Sequence, residues 1–245
     1  MPSVPPPDPA ALRLFALVPC AGVGERAATT IPKQYTRLAG RCVVGHALRA
    51  LEQVQRLTAT LVVLSADDGL FEHHCPEFMG WVARCGGATR AASVGRGLDE
   101  LARRGAREQD WVLVHDAARC MLRPEWVDRL IDACLNDSVG GLLAMPLADT
   151  LKQESEGRVA ATVPRAGKWA AQTPQMFRLG VLRDALAAAP AGLTDEASAV
   201  EAAGFAPRLV RGSLENLKVT WPEDMELARR LLDDVRCANA EESRR

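Results

Sequence analysis

Four charged residues in unusual company carry most of the chemical content of this sequence: Arg26, Lys33, Asp116 and Lys218. Arg26 and Lys33 belong to a loop, Pro19-Cys20-Ala21-Gly22-Val23-Gly24-Glu25-Arg26, that resumes at Pro32-Lys33-Gln34. Glycines let backbone amides approach phosphate oxygens, and fixed cations neutralise their charge, so the loop is suited to polyphosphate. Asp116 lies in His115-Asp116-Ala117-Ala118-Arg119, directly after the apolar run Trp111–Val114. Ligands of open α/β sheets sit beyond the carboxyl ends of strands, which Asp116 and Arg119 can reach. An aspartate there either anchors Mg²⁺ against phosphate or caps a turn. In Gly86-Gly87-Ala88-Thr89-Arg90-Ala91-Ala92-Ser93, the serine is either a helix N-cap or a ligand group. Thr194-Asp195-Glu196 has the same ambiguity, and Lys218 by itself reads as a surface lysine.

Gly22 to Ala27 also matches the dinucleotide fingerprint G-x-G-x-x-A. Two features oppose NAD. Pro32 interrupts the chain where a Rossmann loop runs into its helix, and no acidic residue stands about 20 positions on.

The elements that must hold these residues follow from apolar spacing. Leu14–Val18 is a buried strand, and Val43, Val44, Ala47, Leu48, Leu51 and Val54 mark a helix over about 42–56. Strands are predicted at 58–65, 81–85, 110–115 and 140–146, with helices at 93–104 and 125–135. Continuous apolar strands alternating with amphipathic helices give an α/β fold, a mostly parallel sheet flanked by helices. From about 148 to 165 the pattern turns polar and alternating, with a turn at Glu154-Ser155-Glu156-Gly157, and predicts a two-stranded arm leaving the sheet. Helices at about 179–188 and 195–203, a strand at 207–210 and a closing helix over 223–236 complete the chain.

Composition narrows the partners. The 245 residues are 48% hydrophobic and carry a net charge of −1, which opposes nucleic-acid binding through a broad basic face. No apolar run spans a bilayer. Seven cysteines with no C-x-x-C pair suit neither a disulfide framework nor a zinc site and point to a cytoplasmic protein. His73-His74-Cys75 is a weak metal candidate, because adjacent residues seldom aim at one ion. The expected organisation is a Pro-rich leader over 1–12, one catalytic domain over 13–236 and a charged tail over 237–245, with no second enzyme domain.

Seven motifs in order then carry a resemblance: LVPCAGVGERAATTIPKQY, GGATRAASV, VHDAAR, PLADTLK, R-x-x-x-W-x-x-Q-T-P-Q, TDEAS and ENLKVT. Together, over about 14–235, they closely resemble the 2-C-methyl-D-erythritol 4-phosphate cytidylyltransferases, enzymes of Rossmann-like nucleotidyltransferase fold. The resemblance implies that Pro19, Cys20, Ala21, Gly22, Val23 and Gly24 line a CTP site with Gly87, Ala88, Ser93 and Ala117. It implies that Arg26, Lys33 and Lys218 are catalytic, and that Asp116 holds Mg²⁺ and contacts substrate. Arg119, Thr150, Arg165, Thr173 and Thr194 would bind methylerythritol phosphate, with Thr150 and Arg165 supplied by the arm of a second copy in a homodimer. The implied reaction joins CTP to the sugar phosphate and expels pyrophosphate. A cytidylyltransferase for another polyol phosphate, such as ribitol 5-phosphate, is the alternative. The chain departs from the family pattern at Cys20, Glu25, Ala88 and Cys120, and a thiol at Cys20 beside nucleotide would be open to oxidation.

Overall fold

The computed structural model describes residues 12–22, 31–190 and 192–242, with backbone alone for 234–242. Strand β1 (Leu14–Pro19) leads into the first loop. Beyond it a 3₁₀ turn at Lys33–Tyr35 precedes a small hairpin, β2 (Arg37–Leu38) and β3 (Arg41–Cys42), and helix α1 (Val43–Glu52). There follow β4 (Ala59–Val63), the single turn α2 (Phe71–His74), β5 (Trp81–Ala83), α3 (Arg90–Arg103), β6 (Trp111–Val114), α4 (Pro124–Cys134) and β7 (Gly140–Pro146). The arm is β8 (Leu151–Ser155) and β9 (Arg158–Val163). The chain then returns through β10 (Trp169–Arg178), α5 (Leu179–Ala188), α6 (Glu196–Ala202), β11 (Arg208–Arg211) and α7 (Pro222–Glu242).

Seven strands form one sheet in the order β11-β7-β10-β6-β1-β4-β5. All run parallel except β10, which is antiparallel to both β6 and β7. The continuous apolar strands are explained by burial on both faces, with successive side chains taking opposite sides. Leu14, Ala16 and Val18 of β1 pack with Val44, Leu48 and Leu51 of α1 and with Trp126, Leu130 and Ile131 of α4. Phe15 and Leu17 pack on the other side with Val94, Leu98 and Leu101 of α3, and with residues of α5 and α6. Parallel pairing fixes the function of this arrangement: β1, β4, β5 and β6 deliver their carboxyl ends to one edge.

The predicted arm is present, though shorter than 148–165. It is a separate two-stranded sheet with almost every residue exposed. Its turn lies between the paired residues Ser155 and Arg158, where Glu156 (φ 52°) and Gly157 (φ 75°) both adopt positive φ. That is the tight hairpin turn whose twist matches the strands. Two differences from the sequence reading stand out. The motif Gln172-Thr173-Pro174-Gln175 lies on β10, a central strand that the pattern did not predict. The closing helix continues past 236 to Glu242, into the stretch expected to be a tail. Of the expected leader, residues 1–11 lie outside the described residues.

Candidate active site

At the carboxyl edge, Pro19 ends β1 and the Cys20 amide donates to the Val63 carbonyl (2.8 Å). Gln34 holds the start of the loop, its Nε2 donating to the carbonyls of Gly22 (2.9 Å) and Cys20 (3.3 Å). A Cβ on Gly86 would stand 2.3 Å from that of Ala21, so only glycine lets the second loop pack against the first. Thr89, not Ser93, caps α3: its Oγ1 accepts from the Ala92 amide (3.1 Å). The Ser93 hydroxyl accepts instead from the Gly87 amide (3.0 Å) and donates to the Thr89 carbonyl (3.0 Å), shaping the loop that presents Ala88.

The charged centre lies one loop further on. Asp116 is buried at the end of β6, and each carboxylate oxygen has its own cation. Arg90 Nε donates to one at 2.7 Å, and Lys218 Nζ to the other at 2.8 Å. Burial would raise the Asp116 pKa, but Arg90 and Lys218 outweigh it and hold the carboxyl well below the usual carboxylate range. Arg90 is shared: its Nη1 and Nη2 reach the two oxygens of fully buried Glu196 at 2.6 and 3.0 Å. Burial raises the Glu196 pKa against the opposing effect of Arg90. Lys33 arrives from the other side, its Nζ donating to the carbonyl of Val219 (2.6 Å), the residue after Lys218. Two lysines from opposite ends of the chain thus act at adjacent positions: Lys33 holds the Val219 carbonyl, and Lys218 holds Asp116.

β10 is what joins these parts. Gln172 Nε2 donates to the Ser213 carbonyl (2.7 Å), and Asn216 Nδ2 donates to the Thr173 carbonyl (2.8 Å), fixing the loop that carries Lys218. Gln175 donates to Asp195 (2.8 Å) and accepts from the Ala197 amide (2.7 Å), fixing the start of α6 that carries Glu196. The Thr173 hydroxyl accepts from the Asp116 amide (3.0 Å). It also pairs with His115 Nδ1 (3.1 Å), whose Nε2 lies 3.1 Å from the Arg119 carbonyl. A carbonyl only accepts, so Nε2 carries the proton, Nδ1 accepts, and Thr173 donates to it.

This chain needs neutral His115, and burial supplies that by pushing its pKa from 6.5 down to about 4. The unfolded chain binds a proton near pH 6.5 and the folded one only near 4. Stability from His115 is therefore full above about pH 6.5 and declines as the pH falls through that window. The gap corresponds to about 3 kcal/mol. Urea unfolding of the His115→Asn variant at pH 7.5 and 5 should show a flatter dependence on pH than the parent; equal slopes would show that His115 takes no part.

The structure thus brings Pro19, Cys20, Ala21, Gly22, Gly87, Ser93, Lys33, Asp116, Ala117, Arg119, Thr173 and Lys218 to the strand-end edge. Arg119 spends two of its donors within the fold, on the carbonyls of Asn216 (2.6 Å) and Ala171 (3.2 Å). Thr194 is exposed one residue before Asp195, the N-cap of α6. Thr150 and Arg165 are exposed at the base of the arm and, among the described residues, bond to none of the Asp116 group. Val23, Gly24, Glu25 and Arg26 lie outside the described residues. The expected oxidation hazard at Cys20 is corrected: it is 3% exposed, and burial raises its thiol pKa, so it stays protonated. Cys120 packs in the small cluster with Leu38, Val43 and Val219, on the inner side of its loop. Arg90, Glu196, Gln34 and Asn216, not expected at the site, each stand inside one of the sequence motifs given above.

Among the described residues, no group of three or more His, Cys, Asp or Glu side chains could hold a metal ion. A preformed cage does not fit; a hydrated divalent cation arriving on a triphosphate would take one carboxylate, and at Asp116 it would share an oxygen with Arg90 or Lys218 or displace one of them.

A Rossmann-like sheet that gathers a glycine loop, two lysines and a buried aspartate at one edge defines a nucleotidyltransferase. The model of the family IspD: 2-C-methyl-D-erythritol 4-phosphate cytidylyltransferase matches residues 14–234, and the chain belongs to that family. A bifunctional enzyme IspD/IspF of Albidiferax ferrireducens is 58% identical over 223 residues, 90% of this chain and 53% of the relative. The chain therefore spans about half the length of that relative. The 2-C-methyl-D-erythritol 4-phosphate cytidylyltransferase of Paraburkholderia phymatum is 51% identical over 90% of this chain and 96% of its own. A crystal structure of a 4-diphosphocytidyl-2C-methyl-D-erythritol synthase superposes with a TM-score of 0.82 at 42% identity, covering 91% of this chain and 99% of that one. The Thermus thermophilus cytidylyltransferase gives 0.73 at 30% identity, covering 88% and 96%. Among the described residues no helix is long and apolar enough to cross a membrane.

Proposed function

We propose that this chain transfers CMP from CTP to 2-C-methyl-D-erythritol 4-phosphate. A phosphate oxygen of the sugar attacks the α-phosphorus, the bond to the bridging oxygen breaks, and pyrophosphate leaves with 4-diphosphocytidyl-2-C-methyl-D-erythritol as the other product. The observation that carries this reading is Lys33 bonded to the carbonyl of Val219, the residue next to Lys218, whose Nζ pairs with Asp116. The attacking phosphate is already an anion near neutral pH, so the barrier is repulsion between anions and charge gathering on five-coordinate phosphorus. Fixed cations answer both, and they do so best where water is partly excluded. Arg26 would act with the two lysines, and the early loop with Gly87, Ala88 and Ser93 would hold the nucleotide. Mg²⁺ held by Asp116 and the triphosphate would neutralise phosphate charge. Arg119 and Thr194 would face the sugar phosphate, joined by Thr150 and Arg165 from the arm of a second copy. Buried Thr173, its hydroxyl held between His115 and the Asp116 amide, would act near the sugar by positioning Asp116. We place the reaction in the cytoplasm, on the strength of free thiols that include six described cysteines.

Purified protein with CTP, Mg²⁺ and methylerythritol phosphate should release pyrophosphate, and with ribitol 5-phosphate it should release far less. The reverse preference would overturn the substrate assignment. The same assay across a dilution series tests the arm: specific activity should fall as the dimer dissociates, and constant activity in a proven monomer would refute the shared site.

A further inference from the structure

The wall of a cavity beside the small β2–β3 hairpin holds two cysteines in contact. Cys42 stands at the N-cap of α1, and Cys75 follows α2. Their sulfurs are 3.3 Å apart, and Cys42 Sγ also lies 3.5 Å from the His74 carbonyl. Cys42 is 2% and Cys75 9% exposed, but both line a cavity of about 360 Å³ with Arg37, Arg41, Gly45 and His74, and this gives a small oxidant its route to them. Gly45 makes the approach possible, since a Cβ there would stand 3.0 Å from Cys42 Sγ. The surroundings make the two thiols unequal. The Cys75 thiol, the Gly45 amide and Arg41 outweigh burial and lower the Cys42 pKa, and the same contact together with burial raises that of Cys75. A thiol made more acidic at a helix start, in contact with a second thiol, is the arrangement of an attacking and a resolving cysteine.

The pair touches the element that carries Lys33. The ring of His74, next to Cys75, stacks on Tyr35 at 5.1 Å and 17°. Tyr35 shares the 3₁₀ turn with Lys33, and the amide after Cys42, that of Val43, donates to the Thr36 carbonyl (3.0 Å). A disulfide bond is about 2.05 Å long, so closing the pair would draw the sulfurs together by roughly 1.2 Å.

We propose that Cys42 and Cys75 are an oxidant-responsive modification site, which hydrogen peroxide converts to a reversible disulfide that shifts the Tyr35 ring. The Cys42 thiolate attacks one peroxide oxygen, the O–O bond breaks, and hydroxide leaves. The Cys75 sulfur attacks the resulting sulfenic acid, the S–O bond breaks, and the oxygen leaves as water with the Cys75 proton. Two electrons pass from the sulfur pair to the peroxide.

The test uses the full chain treated with hydrogen peroxide and digested without reduction. Mass spectrometry should find the Cys42 and Cys75 peptides linked, unlinked again after dithiothreitol, and never linked in Cys75→Ser or Cys75→Ala. Tyr35 is the single tyrosine of the chain, so ¹³C-tyrosine labelling gives one ring signal set to follow. That signal should shift on oxidation of the parent, return on reduction, and stay in place in both variants. A sulfinic acid at Cys42 with no linked peptide, or a link from Cys42 to Cys20, would overturn the site. A bridge that leaves the tyrosine signal unmoved would overturn its coupling to the turn. None of these readouts depends on the transferase reaction.

Discussion

Lys33→Ala and Lys218→Ala are each expected to lower kcat by on the order of a hundredfold or more. A hundredfold loss corresponds to about 2.7 kcal/mol of transition-state stabilisation, the size expected of one fixed charge at a reacting phosphate. The two variants should differ in their response to pH. Lys218 is one of the two cations on Asp116, whereas Lys33 is held on the Val219 carbonyl. Without Lys218 the Asp116 carboxyl rises toward the ordinary carboxylate range, so the acid limb of the rate profile should move to higher pH. Lys33→Ala should leave that limb in place. Steady-state kinetics of pyrophosphate release with CTP and methylerythritol phosphate measures both effects. Near-normal turnover in either variant would remove that lysine from the reacting phosphorus.

Arg90→Ala is expected to cost stability as well as activity. Among the described residues Arg90 is the sole cation bonded to Glu196, which is fully buried, and it also holds Asp116. Removing it leaves two buried carboxylates near one another, Glu196 without its bonded cation and Asp116 with Lys218. Breaking a buried pair in this way costs about 3–5 kcal/mol, because the remaining charge is uncompensated. Arg90→Lys should recover little. A lysine cannot give Nε to Asp116 while offering two further donors to Glu196, as the planar guanidinium does. Denaturant unfolding near neutral pH decides the matter: a loss below about 1 kcal/mol in Arg90→Ala would mean that the pair contributes little.

The parts of this fold that the sequence made legible are those built from one kind of contact. β1, β4, β6 and β7 are apolar runs buried on both faces, and α1, α3 and α4 show one apolar stripe each. β10 escaped because it breaks that rule. Its central residues Gln172, Thr173 and Gln175 are polar and buried, and each docks a different segment by hydrogen bonds. Pro174 and a register shift between Ala171 and Gln175 interrupt the pattern further. The same limit applied to the site. Lys33, Asp116 and Lys218 were visible as charges within motifs. Arg90 and Glu196 acquire meaning only from being 106 positions apart and in contact, which is a fact of the folded chain.

The bond from Lys33 to the Val219 carbonyl closes a span of 186 positions, and this bears on how the protein is made. At about 5–20 residues per second, the early lysine waits roughly 10–40 s on the ribosome before its partner is joined to the chain. During that interval β6 and β7 also lack the strand that separates them, because β10 is synthesised after the arm. Until β10 is in place the edges of β6 and β7 that it pairs with are unsatisfied, and such edges invite pairing with another chain. β10 carries Gln172, Thr173 and Gln175 together, so the site is complete only once that strand is in the sheet.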